Sequence, residues 1–255
     1  MSAIYEVLRQ LDEWRHLPAY QLERRVDIFF GMFLPKVIER RFGLHVDEVI
    51  PEFPLHKGKS KISEDPEDHH SVKVDFVVFG RQANKKRMFL IELKTDIGSL
   101  NADQLKNMEN ARGANSKDLL QGVIDAAQHS DSKHKYAHLV WKLLKLKCLG
   151  IDNLAEITNM QLGEIRPGLT SAFKKLGVGK EWCNACVDVV VVLPEESEGL
   201  EPYPEFHSIT FDQFAETLET GYKPFVPEDV RTFLAHVRDW AHVRAGRVSP
   251  WPQQH

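Results

Sequence analysis

The stretch SVKVDFVVFGRQANKKRMFLIELKTD, residues 71–96, decides the fold. Two apolar runs, 71–80 and 87–95, flank the polar segment RQANKK. Runs of this length, rich in β-branched and aromatic residues, predict two strands of a hairpin with a longer loop between them. The second run carries Glu92 and Lys94 at alternate positions, with Leu93 between. Successive strand side chains point to opposite faces, so Leu90, Glu92 and Lys94 share one face and Phe89, Ile91 and Leu93 the other. The two charges are then about 7 Å apart at Cα. Folding the hairpin about Ala83 and Asn84 sets Asp75 opposite Glu92, Val77 opposite Leu90 and Lys73 opposite Lys94. A slip of one residue would move Asp75 to the other face.

Like charges facing each other across a sheet are destabilising, and a divalent cation reverses that cost. Mg²⁺ or Mn²⁺, with oxygen ligands and retained waters, suits a site made by Asp75 and Glu92, to which the carbonyl of Leu93 can add a third oxygen. Lys94 beside the ion can orient or deprotonate an attacking water, or stabilise charge on a phosphate. The plainer reading is a solvated hairpin face with an ordinary salt bridge, which requires Asp75 and Glu92 to be apart or fully exposed.

Upstream, residues 3–15 predict an amphipathic helix, ended by Pro18. A longer helix over 20–42 has Leu22, Val26, Phe29, Phe30, Phe33, Leu34, Val37 and Ile38 on one face, with Gly43 as its cap. DEVIPEFPL, 47–55, reads as an edge strand because of its two prolines. HKGKSKISEDPEDHHS, 56–71, reads as a loop. Downstream come helices at about 101–112, 116–130 and 133–149, a mixed stretch 150–182, and VDVVVVLP, 187–194, a buried strand of parallel-sheet type. FHSITFDQF gives a strand running into a helix, and PEDVRTFLAHVRDWAHVRAG a last helix. The order implies one α/β domain around a mixed sheet over 1–245: a core at 20–195, a helical insertion at about 131–182, a C-terminal strand and helix at 205–245, and a tail at 246–255.

The 255 residues are 42% hydrophobic with a formal charge of -4, so no strongly basic balance announces nucleic acid, although a local basic patch suffices to track phosphates. Three cysteines make no disulfide framework, and no apolar run has the length of a membrane span. A cytoplasmic protein with no membrane partner is the expectation. Walker, GxGxxG and GxSxG patterns in their proper settings are missing, which leaves NTPases, dinucleotide enzymes and serine hydrolases without support.

Asp75, sixteen residues, then Glu92-Leu93-Lys94 resembles the PD-(D/E)xK nuclease superfamily, which includes restriction endonucleases, Holliday-junction resolvases and lambda-type exonucleases. The superfamily core, helix, three strands, helix, strand (α-β-β-β-α-β), would map here onto 20–42; 47–55, 71–80 and 87–95; 101–130; and 187–193. Val74 replaces the usual proline before the acid. The resemblance implies a restriction-endonuclease-like fold, a Mg²⁺- or Mn²⁺-dependent nuclease acting on DNA, Asp75 and Glu92 as metal ligands and Lys94 as the catalytic lysine. It also implies an acid from the first core helix. Glu23, Asp27 and Glu39 are the candidates, and Glu23 lies nearest the apolar face. A glutamine on the helix after the ExK strand would be Gln104. Cutting two strands is compatible with a homodimer. The alternative is a catalytically idle nuclease-like fold that binds nucleic acid or protein.

Candidate phosphate contacts are Lys73, then Lys85, Lys86 and Arg87 in the hairpin loop, and Lys142 and Lys145 in the basic segment KHKYAHLVWKLLKLK, where Tyr136 or Trp141 could stack bases. Cys183 and Cys186 form a CxxC that, even with Cys148, falls one ligand short of a four-cysteine site; two small residues leading into a strand are the expectation. His69 and His70 are expected in a solvated loop.

Overall fold

The structure, a computed structural model, describes residues 3–14, 22–59, 71–151 and 169–241. Pro18, the His69–His70 pair, most of the 56–71 loop, much of the 150–182 stretch and the 246–255 tail lie outside the described residues. The fold is mixed α/β, with a five-stranded mixed sheet flanked by helices. In chain order the elements are α1 (Ala3–Trp14), α2 (Glu23–Phe42), β1 (His45–His56), β2 (Ser71–Gln82), β3 (Lys85–Leu93), α3 (Ala102–Gly113), α4 (Ser116–His129), α5 (Lys133–Lys145), β4 (Leu149–Ile151), α6 (Leu169–Lys174), β5 (Leu176–Val178), β6 (Cys186–Leu193), β7 (His207–Thr210), α7 (Phe211–Tyr222) and α8 (Glu228–Ala241). The sheet runs β1-β2-β3-β6-β7, and β4 and β5 make a separate pair. No helix among the described residues is long and apolar enough to cross a membrane.

The chain separates into two compact units: Met1–Gly43, Glu92–Ala102 and Val190–His255, and Leu44–Ile91 with Asp103–Val189. In the first, α2 presents Val26, Phe30, Leu34, Val37 and Ile38 at helical spacing, all buried. The Phe30 ring lies 5.1 Å from Phe211, 5.0 Å from Phe214 and 5.6 Å from Phe233, so one side chain ties α2 to α7 and α8. Full burial of such a ring contributes about 1.5–3 kcal/mol. Helix α2 runs through Pro35 and ends where Gly43 takes the left-handed conformation at φ 64°, its N–H donating to the Glu39 carbonyl. Helix α1 is fastened to α8 by Asp12, whose carboxylate accepts from His236 and from the Trp240 indole. Val190–Leu193 pairs in parallel with His207–Thr210, and Thr210 with Gln213 forms a capping box that opens α7.

In the second unit β1 and β2 pair antiparallel, and β1 lies at the sheet edge, where Pro51 and Pro54 cost no ladder bond to a further strand. An irregularity between Val46 and Glu48 leaves Asp47 as the extra residue, paired to Arg81 at 3.0 Å and Lys86 at 3.9 Å. The β2–β3 register runs from Gln82↔Lys85 to Phe76↔Ile91, the one obtained by folding about Ala83 and Asn84. The longer loop expected there is wrong. The turn is the two residues Ala83 and Asn84, with Ala83 at φ 52°, and Lys85, Lys86 and Arg87 belong to β3. Trp182 is buried; its ring meets Phe79 edge-on at 5.1 Å and its indole N–H donates to the Leu146 carbonyl at 2.9 Å. The helix expected to reach 149 stops at Lys145, because Lys147 turns left-handed at φ 58° and Leu149 enters β4.

Candidate active site

Strand β3 is buried from Met88 onward on both of its faces, and Glu92 and Lys94 are swallowed with it. Glu92 is 1% exposed and Lys94 6%. Of all side-chain types, Glu and Lys are among the last to be buried without partners. Here they partner each other: Lys94 Nζ lies 2.7 Å from Glu92 Oε1. Strand alternation makes this contact reachable, since residues i and i+2 share a face and the lysine stem is long enough to fold back. Lys94 itself lies just past the end of β3, and its backbone N–H donates to the Val192 carbonyl of β6 at 2.8 Å. That bond fixes the direction from which the ammonium returns to Glu92.

A second carboxylate reaches the same ammonium. Glu23 Oε1 is 3.6 Å from Lys94 Nζ, and its side chain is 29% exposed. Glu23 is the first residue of α2, where the unsatisfied N–H groups and the helix dipole favour a negative charge. On this helix Glu23 pairs with Lys94, and Asp27 accepts the N–H of Ile28. The arrangement within this unit is thus one buried ammonium between a buried and a half-exposed carboxylate.

Asp75 is half-buried on β2, one residue beyond Phe76, which pairs with Ile91. The neighbouring β1 residue Glu52, between the pairs Pro51↔Phe76 and Phe53↔Val74, has φ 52°, a backbone conformation that costs a non-glycine residue about 1–2 kcal/mol. Leu93 is buried. Gln104 is half-buried on α3.

The basic candidates scatter. Lys73 is exposed and pairs with Glu52 at 2.7 Å. Lys85 is exposed at the start of β3. Lys86 lies over the Trp182 ring at 4.7 Å, and Arg87 grips Asp188 through two nitrogens at 3.0 and 2.9 Å, so both brace the second unit. Lys142 pairs with Glu48 at 2.8 Å, and Lys145 lies 3.8 Å over the Trp141 ring, which occupies a face expected to stack bases. Asp188, Glu48 and Asp47 are partners that sequence reading missed. They lie tens of residues from the cations they bind, and no local signal connects them.

Cys148 is buried, Cys183 half-buried and Cys186 exposed, and all three are free thiols. Cys183 Sγ donates to the Gly179 carbonyl at 3.3 Å. Burial pushes the Cys148 thiol far above its ordinary range, which holds it protonated. Among the described residues no three His, Cys, Asp or Glu side chains form a preassembled metal cage. In the comparisons with known proteins, no family model, curated protein or solved structure matches this chain.

Proposed function

We propose that this chain is a divalent-metal-dependent nuclease with a restriction-endonuclease-like core, hydrolysing phosphodiester bonds in DNA. The observation that carries the reading is the burial of Glu92 together with Lys94. A solvated salt-bridge face would have left them in water. Removing two charges from water costs several kcal/mol per ion before their attraction is counted, so a buried pair with no further use is weak evidence for stability alone. The order α2, β1, β2, β3, α3 and then, after α4, α5, β4, α6 and β5, strand β6 supports the same reading, since it follows helix, three strands, helix, strand with an insertion before the last strand.

The donor set suits a hard dication. Glu92 and Glu23 bring two carboxylates to one ammonium, and carboxylate and carbonyl oxygens are what Mg²⁺ and Mn²⁺ take. In this proposal Glu92 would hold the ion, and the Leu93 carbonyl would offer a further oxygen. Bound Mg²⁺ or Mn²⁺ supplies charge neutralisation at the phosphate and a more acidic water. Lys94 orients the attacking water and offsets negative charge on the phosphate as the P–O bond breaks.

The test is cleavage of labelled single- and double-stranded DNA and RNA with Mg²⁺ or Mn²⁺, by wild type, Glu92→Ala and Lys94→Ala. Wild type should cut DNA, and each substitution should lower the rate by about 10²-fold or more. Cleavage that survives both substitutions would move the site elsewhere. Binding of nucleic acid without cleavage would favour the idle module.

A further inference from the structure

Lys94 occupies the carboxylate that the proposed ion needs. Its ammonium is 2.7 Å from Glu92 Oε1, while a second acceptor, Glu23 Oε1, stands at 3.6 Å from the same nitrogen. Resting on the nuclease reading, we propose that Lys94 is the counter-cation of Glu92 in the metal-free protein, and that Glu23 is a positioning residue that receives the ammonium when a divalent ion displaces it.

Charge must balance in a place with little water. Glu92 is 1% exposed, so its charge needs a cation at all times. Two cations on one carboxylate repel, and the dication would drive Lys94 away. The lysine is 6% exposed and cannot simply turn out into solvent, so it needs another anion within reach of its stem. Glu23 provides it, anchored on the first turn of α2 and open enough to adjust. Lysine suits this because its ammonium is a compact charge on a flexible four-carbon stem. The exchange leaves Lys94 beside the ion rather than on it, where a water-orienting group belongs.

Occupancy of Glu92 by the lysine and by the metal are then coupled, and such coupling is reciprocal. Metal affinity reads it without any cleavage. Mn²⁺ binding is measured by calorimetry on wild type, Glu23→Gln, Lys94→Gln and the double variant, with Glu92→Gln as the ligand control. Lys94→Gln should bind Mn²⁺ about tenfold more tightly. Glu23→Gln should weaken binding about fivefold in the wild-type background and leave it unchanged in the Lys94→Gln background. Unfolding temperature with and without Mn²⁺ keeps the test open if Lys94→Gln is poorly stable. The metal-induced rise should then exceed that of wild type.

Lys94→Gln binding no more tightly, in a protein whose Mn²⁺ site is lost in Glu92→Gln, overturns the exchange and leaves the nuclease reading standing. Glu23→Gln weakening Mn²⁺ equally in both backgrounds overturns the receiving role and makes Glu23 a direct ligand. Folded wild type that binds no Mn²⁺ overturns the exchange and the metal-dependent reading together.

Discussion

A carboxylate at 1% exposure is stable only while a cation stays beside it, so the side chains of Glu92 and Lys94 cannot be changed independently. In metal-free protein Lys94→Met should lower unfolding free energy by about 3–5 kcal/mol in urea titration, because it removes one partner of a buried ion pair. Cys148 gives a second residue-scale expectation. Its thiol is held protonated by burial, so it ionises only at pH above the ordinary thiol range. Alkylation of the native protein between pH 7 and 9 should modify exposed Cys186 and spare Cys148, with Cys148 reacting only after unfolding. Much at this scale was legible in the sequence. Alternation put Glu92 and Lys94 on one face, and helical position favoured Glu23 over Asp27 and Glu39. What was not legible is that Lys94 closes directly on Glu92, since a Cα separation does not tell where a flexible stem ends.

At the scale of elements the hairpin was readable because a two-residue turn and period-2 patterning fix register jointly. Its loop was overestimated because Lys86 and Arg87 look like turn residues in isolation. Asp47, Asp188 and the Trp182 and Phe89 rings hold them extended, and none of that is local. The edge position of β1 followed from Pro51 and Pro54. One close approach is worth testing. A Cβ on Gly122 of α4 would stand 2.7 Å from the His56 Cβ of β1. Gly122→Ala should therefore destabilise by about 1–3 kcal/mol despite alanine's better helix propensity, as chemical denaturation can measure. The opposite sign would mean that α4 shifts freely on β1.

For the whole molecule, the alternation of helices and strands gave the α/β class and the mixed sheet, because buried runs such as Val189–Leu193 admit few other placements. The boundaries between the two compact units at Ile91/Glu92 and Val189/Val190 fall inside strands, where composition does not change. Glu92 is either an ion-pair partner of Lys94 alone or a metal ligand that the lysine guards. The most direct measurement is the anomalous diffraction of crystals equilibrated with Mn²⁺. The expected result is one peak at coordination distance, about 2.2 Å, from a Glu92 oxygen, with Lys94 Nζ moved off Glu92 toward Glu23. A saturating Mn²⁺ soak that leaves the Lys94–Glu92 pair closed and shows no peak at Glu92 would contradict the account.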